Sequence, residues 1–424
     1  MFSKILKSEF VRNILTLMTG TAIAQAIPVL ISPILSRLYT PEDFGVLGLF
    51  MSIAAVLGVI ATGRYELAIM LPEKKRDAYN LLALSLFLTL VVSVFTLILV
   101  LIFKKTVTLF FDEPGIEPWL YLLPVVVLFV GIFQAFNYWS TRQKTFKRNA
   151  VGRVSQSTIM SATNVGMGIA KAGSSGMILG YILGQFVGAL VLAWQTLTHL
   201  KEFRKEITRK EIIENAKKYK SFIRINTPHA FIDSLQNNGI IYLIMYFFSK
   251  MILGSYFFAF RVLKAPVGLI GNAIYQVFYQ KATEALKERR EIQTLVKRIY
   301  RNLFLIGFPV FLLLFIFAQP VFTFVFGEKW EISGEIAQIL MPWLFLNFMV
   351  SPVSCIAIIM NKQREAMFIT FVDIFLKVIA IVIGGISNDF KLGFIIMSTL
   401  CSLLMIFALF WYYKIAKTEF AKTY

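Results

Sequence analysis

The sequence predicts an all-α polytopic membrane protein with about twelve transmembrane helices. Of its 424 residues, 57% are hydrophobic and only 16% are charged, whereas soluble domains carry about 25% charged residues. Its mean hydropathy is +0.70. The chain also contains successive apolar runs of about 20 residues, the length that crosses the hydrocarbon of a bilayer. A bilayer, unlike a soluble core, can cover this much apolar surface.

The apolar runs define twelve predicted spans. They cover residues 13–36, 44–63, 80–103, 118–138, 152–170, 176–197, 222–248, 253–277, 301–324, 336–360, 365–386 and 392–413. The fifth and seventh are the most polar, because both are rich in Ser, Thr and Asn together with Gly or Pro. The first span is expected to be retained, because no small-residue cleavage site follows it.

The distribution of Lys and Arg predicts the orientation of these spans. With the N-terminus in the cytoplasm, 33 of the 43 Lys and Arg residues fall in inner segments and seven in outer segments. Positive residues concentrate in the cytoplasmic loops of membrane proteins. Both termini are therefore expected in the cytoplasm, and the protein in a bacterial cytoplasmic (inner) membrane. The formal charge of +19 belongs to these loops, so no nucleic-acid binding is expected.

The chain is expected to divide into two six-helix lobes. Residues 1–198 form an N-terminal lobe, residues 199–221 a basic cytoplasmic linker, and residues 222–424 a C-terminal lobe. The linker has two compatible interpretations: it connects the two lobes, and it forms a cytoplasmic helix that lies on anionic lipid headgroups.

A weak internal repeat relates the two predicted lobes. The junction between spans one and two resembles the junction between spans seven and eight, and Gly45 aligns with Gly254. Six helices per half is an even number, so both halves enter the membrane in the same orientation. This pattern predicts a parallel repeat about an axis along the membrane normal.

Ionisable and polar side chains at membrane depth are the candidate site residues. An ionisable one costs about 2.5–3.5 kcal/mol at the bilayer centre, so such residues usually face a bundle interior or a water-filled cavity. The candidate substrate-binding cations are Arg64, Arg261, Lys264 and Lys377. The candidate carboxylates for ion coupling or structural pairing are Asp233 and Asp373. The candidate polar residues that line a cavity are Gln25, Asn237, Asn272 and Gln276.

The charged residues of the C-terminal half each have two interpretations. Arg261 and Lys264 are one helical turn apart and either face a cavity or snorkel to the interface. Asp233 is expected to pair with one of them, for function or only for structure. Asp373 and Lys377 are four residues apart, so they can neutralise each other locally.

Two segments of the N-terminal half are predicted to bend. Pro28 lies inside the first span, where a proline interrupts the backbone hydrogen bonds. Gly63 allows a bend at the end of the second span. Arg64 and Glu66 are two residues apart and are expected on different sides of a helix. Arg64 lies either at the inner mouth of a cavity or in the headgroup region as a positive anchor.

Motifs for catalysis are missing from the sequence. It contains no Walker A motif, so no ATP-driven step is expected. Its two histidines, His199 and His229, do not form a catalytic set, and no cluster has metal-ligand spacing. The cysteines, Cys355 and Cys401, lie in apolar runs. We therefore expect a transporter without cofactor or metal, and not an enzyme.

Five stretches in both halves resemble a known family. They are LSRLYTPEDFGVLGLFMSI (35–53), ATGRYELAIMLP (61–72), FNYWSTRQKTFKRNA (136–150), GYILGQFVGALVL (180–192) and FRVLKAPVGLIGNAIYQVFYQKA (260–282). These stretches are similar to those of the polysaccharide-export flippases, the Wzx-type O-antigen and capsule family of the MOP superfamily, which also holds lipid II flippases and MATE drug exporters. The resemblance implies two lobes around a cationic central cavity, worked by alternating access, and no defined catalytic residue.

The cationic inventory and this resemblance predict a flippase for polyprenyl-pyrophosphate-linked oligosaccharide in surface polysaccharide biosynthesis. Arg and Lys suit a pyrophosphate because they form charge-assisted hydrogen bonds with it. One alternative is an ion-coupled multidrug exporter of the same superfamily, and another is a membrane-embedded glycan polymerase or ligase, against which the short outer loops argue. The expected partners are the lipid-linked oligosaccharide, membrane lipids, a glycan polymerase and assembly proteins.

Overall fold

The computed structural model describes residues 9–197, 206–287 and 291–417, with side chains for all of these except 9–18, 197, 272, 273 and 287. Within these ranges every regular element is a helix. The longer helices are α1 (Glu9–Leu30), α2 (Ser32–Leu38), α3 (Pro41–Gly58), α4 (Lys75–Phe111), α5 (Leu123–Arg142), α6 (Phe146–Ile169), α7 (Gly173–Leu197), α8 (Arg209–Lys218), α9 (Thr227–Phe247), α10 (Lys250–Lys287), α11 (Ile292–Phe326), α12 (Glu331–Val350), α13 (Gln363–Ile386) and α14 (Phe390–Ile415).

The helices account for all twelve predicted spans, and ten helical segments of the described chain are long and apolar enough to cross a membrane. The fifth and seventh spans are the helices α6 and α9, and these two are not among the ten. The all-α polytopic fold is therefore confirmed. The count of twelve membrane crossings stays a prediction.

The polar helix α6 is packed closely along α7. Four glycines of α7 are spaced by one turn and lie against α6: Gly176, Gly180, Gly184 and Gly188. A Cβ added to Gly180 would lie 1.9 Å from Asn164 Oδ1. Small residues let helix backbones approach in this way inside membranes. The close approach buries Asn164, so this amide of α6 is covered by protein.

The first span is interrupted near its two prolines, and whether it bends there stays a prediction. Helix α1 ends at Leu30 and α2 begins at Ser32, with Ile31 between them. The Ser32 hydroxyl donates to the carbonyl of Pro28 over 2.7 Å. Pro33 lies in the first turn of α2, where a missing N–H costs no hydrogen bond.

Three helices are longer than the spans predicted for them. Helices α4, α10 and α11 contain 37, 38 and 35 residues. Lys104 and Lys105 follow the third predicted span, and in the structure they lie inside α4, which ends at the left-handed residue Asp112. The helix continues beyond the apolar run because Lys is a good helix former and the first proline of this segment is Pro114.

The chain folds as two compact units, Met1–Tyr242 and Leu243–Tyr424, which we call the N-unit and the C-unit. Each unit has a hydrophobic core of its own. In the N-unit a buried cluster surrounds the stacked rings of Tyr79 and Trp139. In the C-unit Leu303, Phe348 and Met349 form a smaller one. The predicted lobe boundaries at residues 198 and 221 stay predictions.

The described part of the linker is a helix docked on the N-unit. Asn80 of α4 is fully buried and donates to the Glu211 carboxylate of α8 over 2.9 Å. Its amide oxygen accepts from the N–H of Thr208 over 3.2 Å. The Tyr65 hydroxyl donates to the carbonyl of Ala216 over 2.9 Å. Contact of α8 with lipid headgroups stays a prediction.

Candidate functional site

A stack of aromatic rings in the C-unit holds two of the predicted cations. Tyr256, Phe260 and Lys264 follow one another at four-residue steps along α10, so they share a face. The ring of Phe260 stacks on Tyr256 and on Trp343 of α12, with centroids 5.5 Å and 6.1 Å away. Lys264 Nζ lies 4.8 Å from the centroid of Phe260, and Lys377 Nζ lies 4.6 Å from that of Trp343. Cation–π attraction therefore helps to place both ammonium groups.

Asp373 and Lys377 of α13 form the ion pair that their four-residue spacing predicts. The side chains are only 14% and 21% exposed, in that order. Cys401 of α14 lies beside both charges. The carboxylate of Asp373 is therefore neutralised by a neighbour on its own helix.

Arg261 and Lys264 have no such compensation within the described residues. The charge that acts on Lys264 is the ammonium of Lys377, which repels it. No described residue forms an ion pair with Arg261. We call Lys264, Lys377 and Asp373, together with Arg261 one helical turn before Lys264 on α10, the C-unit cation cluster. Three cations and one carboxylate give it a formal charge of +2, which attracts an anion and repels a cation.

The other predicted site residues of the described chain lie mostly on exposed surfaces. Gln25 of α1 and Gln276 of α10 are exposed, whereas the side chain of Asn272 lies outside the described residues. On α9, Asn237 and Asp233 are both exposed, and the Asn237 amide donates to the backbone carbonyl of Asp233 over 2.8 Å. The pairing of Asp233 with a cation of α10 stays a prediction.

Arg64 and Glu66 form an ion pair, which corrects the prediction that they point to different sides of a helix. Arg64 Nη1 lies 3.3 Å from Glu66 Oε1. The prediction failed because α3 ends at Gly58 and because Gly63 and Arg64 both adopt left-handed conformations with φ of 60°. Thr62 donates a hydrogen bond to the fully buried Glu66. Burial raises the pKa of Glu66, and the Thr62 hydrogen bond and Arg64 partly oppose this rise.

Arg153 is a further candidate that sequence reasoning missed. It is the eighth residue of α6, and its Nη1 donates to Thr21 Oγ1 of α1 over 3.4 Å. Both Arg153 and Arg64 act electrostatically on Tyr138 of α5. Only its position just inside the fifth apolar run distinguished Arg153 from the other basic residues around it.

Comparison with known proteins gives a consistent result at the level of sequence. The profile of the polysaccharide biosynthesis protein family matches residues 34–335. The lipopolysaccharide biosynthesis protein WzxC of Escherichia coli (strain K12) is 20% identical over 386 residues, which are 89% of this chain and 76% of WzxC.

Several solved structures are similar over almost the whole chain. The inward closed conformation of the lipid II flippase MurJ has a TM-score of 0.76 at 12% identity, covering 94% of this chain and 87% of MurJ. An inward-facing multidrug resistance MATE family transporter has a TM-score of 0.65 at 15% identity, covering 93% of both chains. A MOP superfamily transporter from Pyrococcus furiosus has a TM-score of 0.60 at 16% identity, covering 98% of both. At these identities the similarity establishes a shared fold.

Proposed function

Because the chain belongs to the polysaccharide biosynthesis protein family and has the fold of MOP transporters, we propose that it is a flippase. Its substrate is a polyprenyl-pyrophosphate-linked oligosaccharide, which it moves from the cytoplasmic to the outer leaflet for surface polysaccharide synthesis. The observation that carries this proposal is the formal charge of +2 on the C-unit cation cluster. WzxC is a lipopolysaccharide biosynthesis protein and MurJ is a lipid II flippase, and both support a lipid-linked saccharide as the substrate class.

The chemistry of the cluster suits a pyrophosphate. The guanidinium donors of Arg261 have no partner among the described residues. The ammonium of Lys264 lies over the ring face of Phe260, which is not a conventional hydrogen-bond acceptor, so its N–H donors are available to a ligand. A pyrophosphate supplies at least two negative charges and several acceptor oxygens, and bonds to it from Arg and Lys are charge-assisted. Lys377, already bound to Asp373, contributes mainly to the local potential.

Transport is proposed to proceed by alternating access. Solved structures of the same fold include conformations described as inward closed and inward-facing, and a site that opens to one side at a time requires such states. Since the sequence contains no Walker A motif, the drive comes from an ion gradient, the membrane potential or consumption of the glycan outside. The apolar tail stays in lipid while the polar head crosses.

The pairing of Asp373 argues against a multidrug exporter that binds its substrate at the C-unit cation cluster, although the fold accommodates such a protein. An exporter of cationic drugs needs an acidic residue with free charge at its binding site. Asp373 is neutralised by Lys377. A drug would have to displace this ammonium before it could bind.

The proposal is tested with a deletion strain and with the double variant Arg261→Gln/Lys264→Gln. Both should accumulate lipid-linked oligosaccharide on the cytoplasmic leaflet, because the pyrophosphate loses its charge-assisted bonds. The matched control is Lys362→Gln/Arg364→Gln, which removes two exposed charges at the start of α13 and should leave export unchanged. The measurement is extraction of lipid-linked sugars from strains with equal protein in the membrane.

Dye efflux is measured in the same strains. Efflux of cationic dyes should match the wild type in both the deletion and the double variant. If efflux falls while the lipid-linked pool stays normal, the protein is a drug exporter and the flippase proposal is wrong.

A further inference from the structure

Helix α8 has one face that packs on the N-unit and an opposite face that is exposed. Ile212, Ala216 and Tyr219 recur at steps of four and three residues, which places them on one side of the helix. They pack against the buried cluster around Tyr79 and Trp139. The other side of α8 takes no part in this packing, and the proposed function gives it no role.

The exposed side of α8 is strongly basic. In residues 209–220 the exposed charged side chains are five cations and one carboxylate: Arg209, Lys210, Lys217, Lys218, Lys220 and Glu214. The second carboxylate of α8, Glu211, is turned towards α4 and pairs with Arg76 over 2.7 Å. Within the described part of the chain, no ion pair includes any of the five cations. Their combined charge therefore attracts an anionic partner.

Exposed isoleucines lie among these cations. Lys210, Ile213 and Lys217 follow one another at steps of three and four residues, so they share a face, and Ile213 is 45% exposed. Ile223 and Ile225, in the segment after α8, are exposed as well. Exposed apolar side chains between cations are typical of a helix that lies in the plane of a membrane interface. A purely polyanionic partner would leave these isoleucines in water, so the surface suits lipid better.

Helix α4 places this surface at the depth of the lipid headgroups. Asn80, the α4 residue that α8 covers, is the first residue of the third predicted span. At about 3.6 residues per turn, positions 87 and 94 lie on nearly the same face of α4 as Asn80. They are Phe87 and Val94, which are 60% and 51% exposed, and such exposed apolar side chains of a membrane-spanning helix face lipid. Helix α8 thus lies on the lipid-facing side of α4, at the end where the predicted orientation puts the cytoplasm.

We propose that the exposed face of α8 binds the headgroups of anionic phospholipids in the cytoplasmic leaflet. The negative surface potential of such a leaflet attracts nearby Lys and Arg side chains, and their bonds to lipid phosphates are charge-assisted. Ile213 inserts between the headgroups and adds apolar burial. Because the opposite face of α8 is bonded to Asn80 and Tyr65, the lipid holds the cytoplasmic end of the N-unit at the membrane surface.

The test places a dye at the centre of the exposed face. In the variant Ile213→Cys a thiol-reactive dye labels the introduced thiol selectively, because the natural Cys355 and Cys401 are fully buried. The labelled full chain is reconstituted in vesicles of phosphatidylcholine with increasing fractions of phosphatidylglycerol. Quenching is measured with spin-labelled phosphatidylglycerol and, separately, with spin-labelled phosphatidylcholine.

Two double variants are compared in this labelled background. Lys210→Gln/Lys217→Gln removes the cations on either side of the dye. The matched control, Lys144→Gln/Lys147→Gln, removes two exposed cations near the turn between α5 and α6. Melting curves and elution profiles equal to those of the wild type show that each variant is folded. The experiment requires no transport, so its outcome is independent of the flippase proposal.

The expected result is that phosphatidylglycerol quenches the dye more strongly than phosphatidylcholine. Lys210→Gln/Lys217→Gln should lower the apparent affinity for phosphatidylglycerol about 5- to 30-fold, because each cation near an anionic surface contributes a factor of roughly 5. The control pair should leave it unchanged. Raising the salt concentration from about 0.01 M to about 1 M shortens the Debye length from about 30 Å to about 3 Å, and should remove most of the preference.

Three results would overturn the proposal. Equal quenching by the two lipids would show that the face does not select anionic headgroups. An equal loss of affinity in the control pair would assign the preference to the overall charge of the protein and not to α8. A dye that stays in water in vesicles of every composition, with an emission that shifts only on addition of soluble polyglutamate, would assign the face to an acidic soluble partner.

Discussion

Removing the carboxylate of Asp373 should destabilise the C-unit strongly. The Asp373–Lys377 pair is largely buried, with side chains 14% and 21% exposed. Deleting one partner of a buried pair leaves the other charge uncompensated and costs about 3–5 kcal/mol. In a unit of this size each kcal/mol lowers the melting temperature by about 2–4 °C. Asp373→Asn should therefore lower the melting temperature by about 6–20 °C.

The two cysteines provide the assay. Cys355 and Cys401 are the only cysteines of the sequence, and both are fully buried in the C-unit. A thiol-reactive dye therefore becomes fluorescent only when this unit opens. The comparison is between wild type, Asp373→Asn and the double variant Asp373→Asn/Lys377→Gln, all in the same detergent.

The double variant decides whether the reasoning is correct. It removes both charges, so it should recover most of the loss, because a buried pair contributes little net stability while an unpaired buried charge costs much. If Asp373→Asn melts within about 2 °C of the wild type, less than a 1 kcal/mol effect would produce, the pair is not the stabilising element. If the double variant melts as low as the single one, Asp373 acts through something other than Lys377.

Three further predictions concern the N-unit and the topology. A reporter enzyme fused after Lys210 should report cytoplasm and one fused after Glu113 periplasm, and the reverse result at either position would refute the orientation. Gly180→Ala should separate α6 from α7 and reduce the monodisperse fraction in size-exclusion chromatography, whereas Gly166→Ala, where an added Cβ meets nothing, should not. The pKa of Glu66 is raised by burial, so its contribution to stability is present at low pH and is lost as pH rises from the ordinary Glu range through the raised value. Melting temperatures are measured between about pH 4 and pH 8, a range that begins near the ordinary Glu pKa. In Glu66→Gln the fall of the melting temperature with rising pH should be smaller than in the wild type. An unchanged pH dependence would assign the fall to other groups.

The parts of the structure that depend on local sequence were predictable. Apolar content and length identify the membrane helices, and the four-residue spacing of Asp373 and Lys377 identifies their ion pair. The interruption at Ile31 lies between Pro28 and Pro33, where prolines lower the number of backbone hydrogen bonds. Each of these features is decided by residues within about two helical turns of one another, so no knowledge of the fold is needed.

The parts that depend on packing between distant segments were not predictable. The partner of Arg153 is Thr21, and they meet only because Gly20 lets α1 approach α6. The ion pair of Arg64 depends on two consecutive residues with left-handed backbone conformation, Gly63 and Arg64. An L residue rarely adopts this conformation, and a prediction that treats the segment as a regular helix does not include it. Hydropathy likewise could not show where α4 ends, because a helix continues beyond the apolar run as long as its residues favour one.

The docking of α8 sets an order of events during synthesis of the chain. Asn80 is separated by 131 residues from Glu211, the carboxylate that accepts its hydrogen bond. At about 5–20 residues per second, a ribosome needs roughly 7–26 s to supply this partner. Throughout that interval the first turns of α4 hold an amide that the finished protein buries completely. The N-unit thus matures only after the first six predicted spans have been translated, when the linker emerges and covers Asn80.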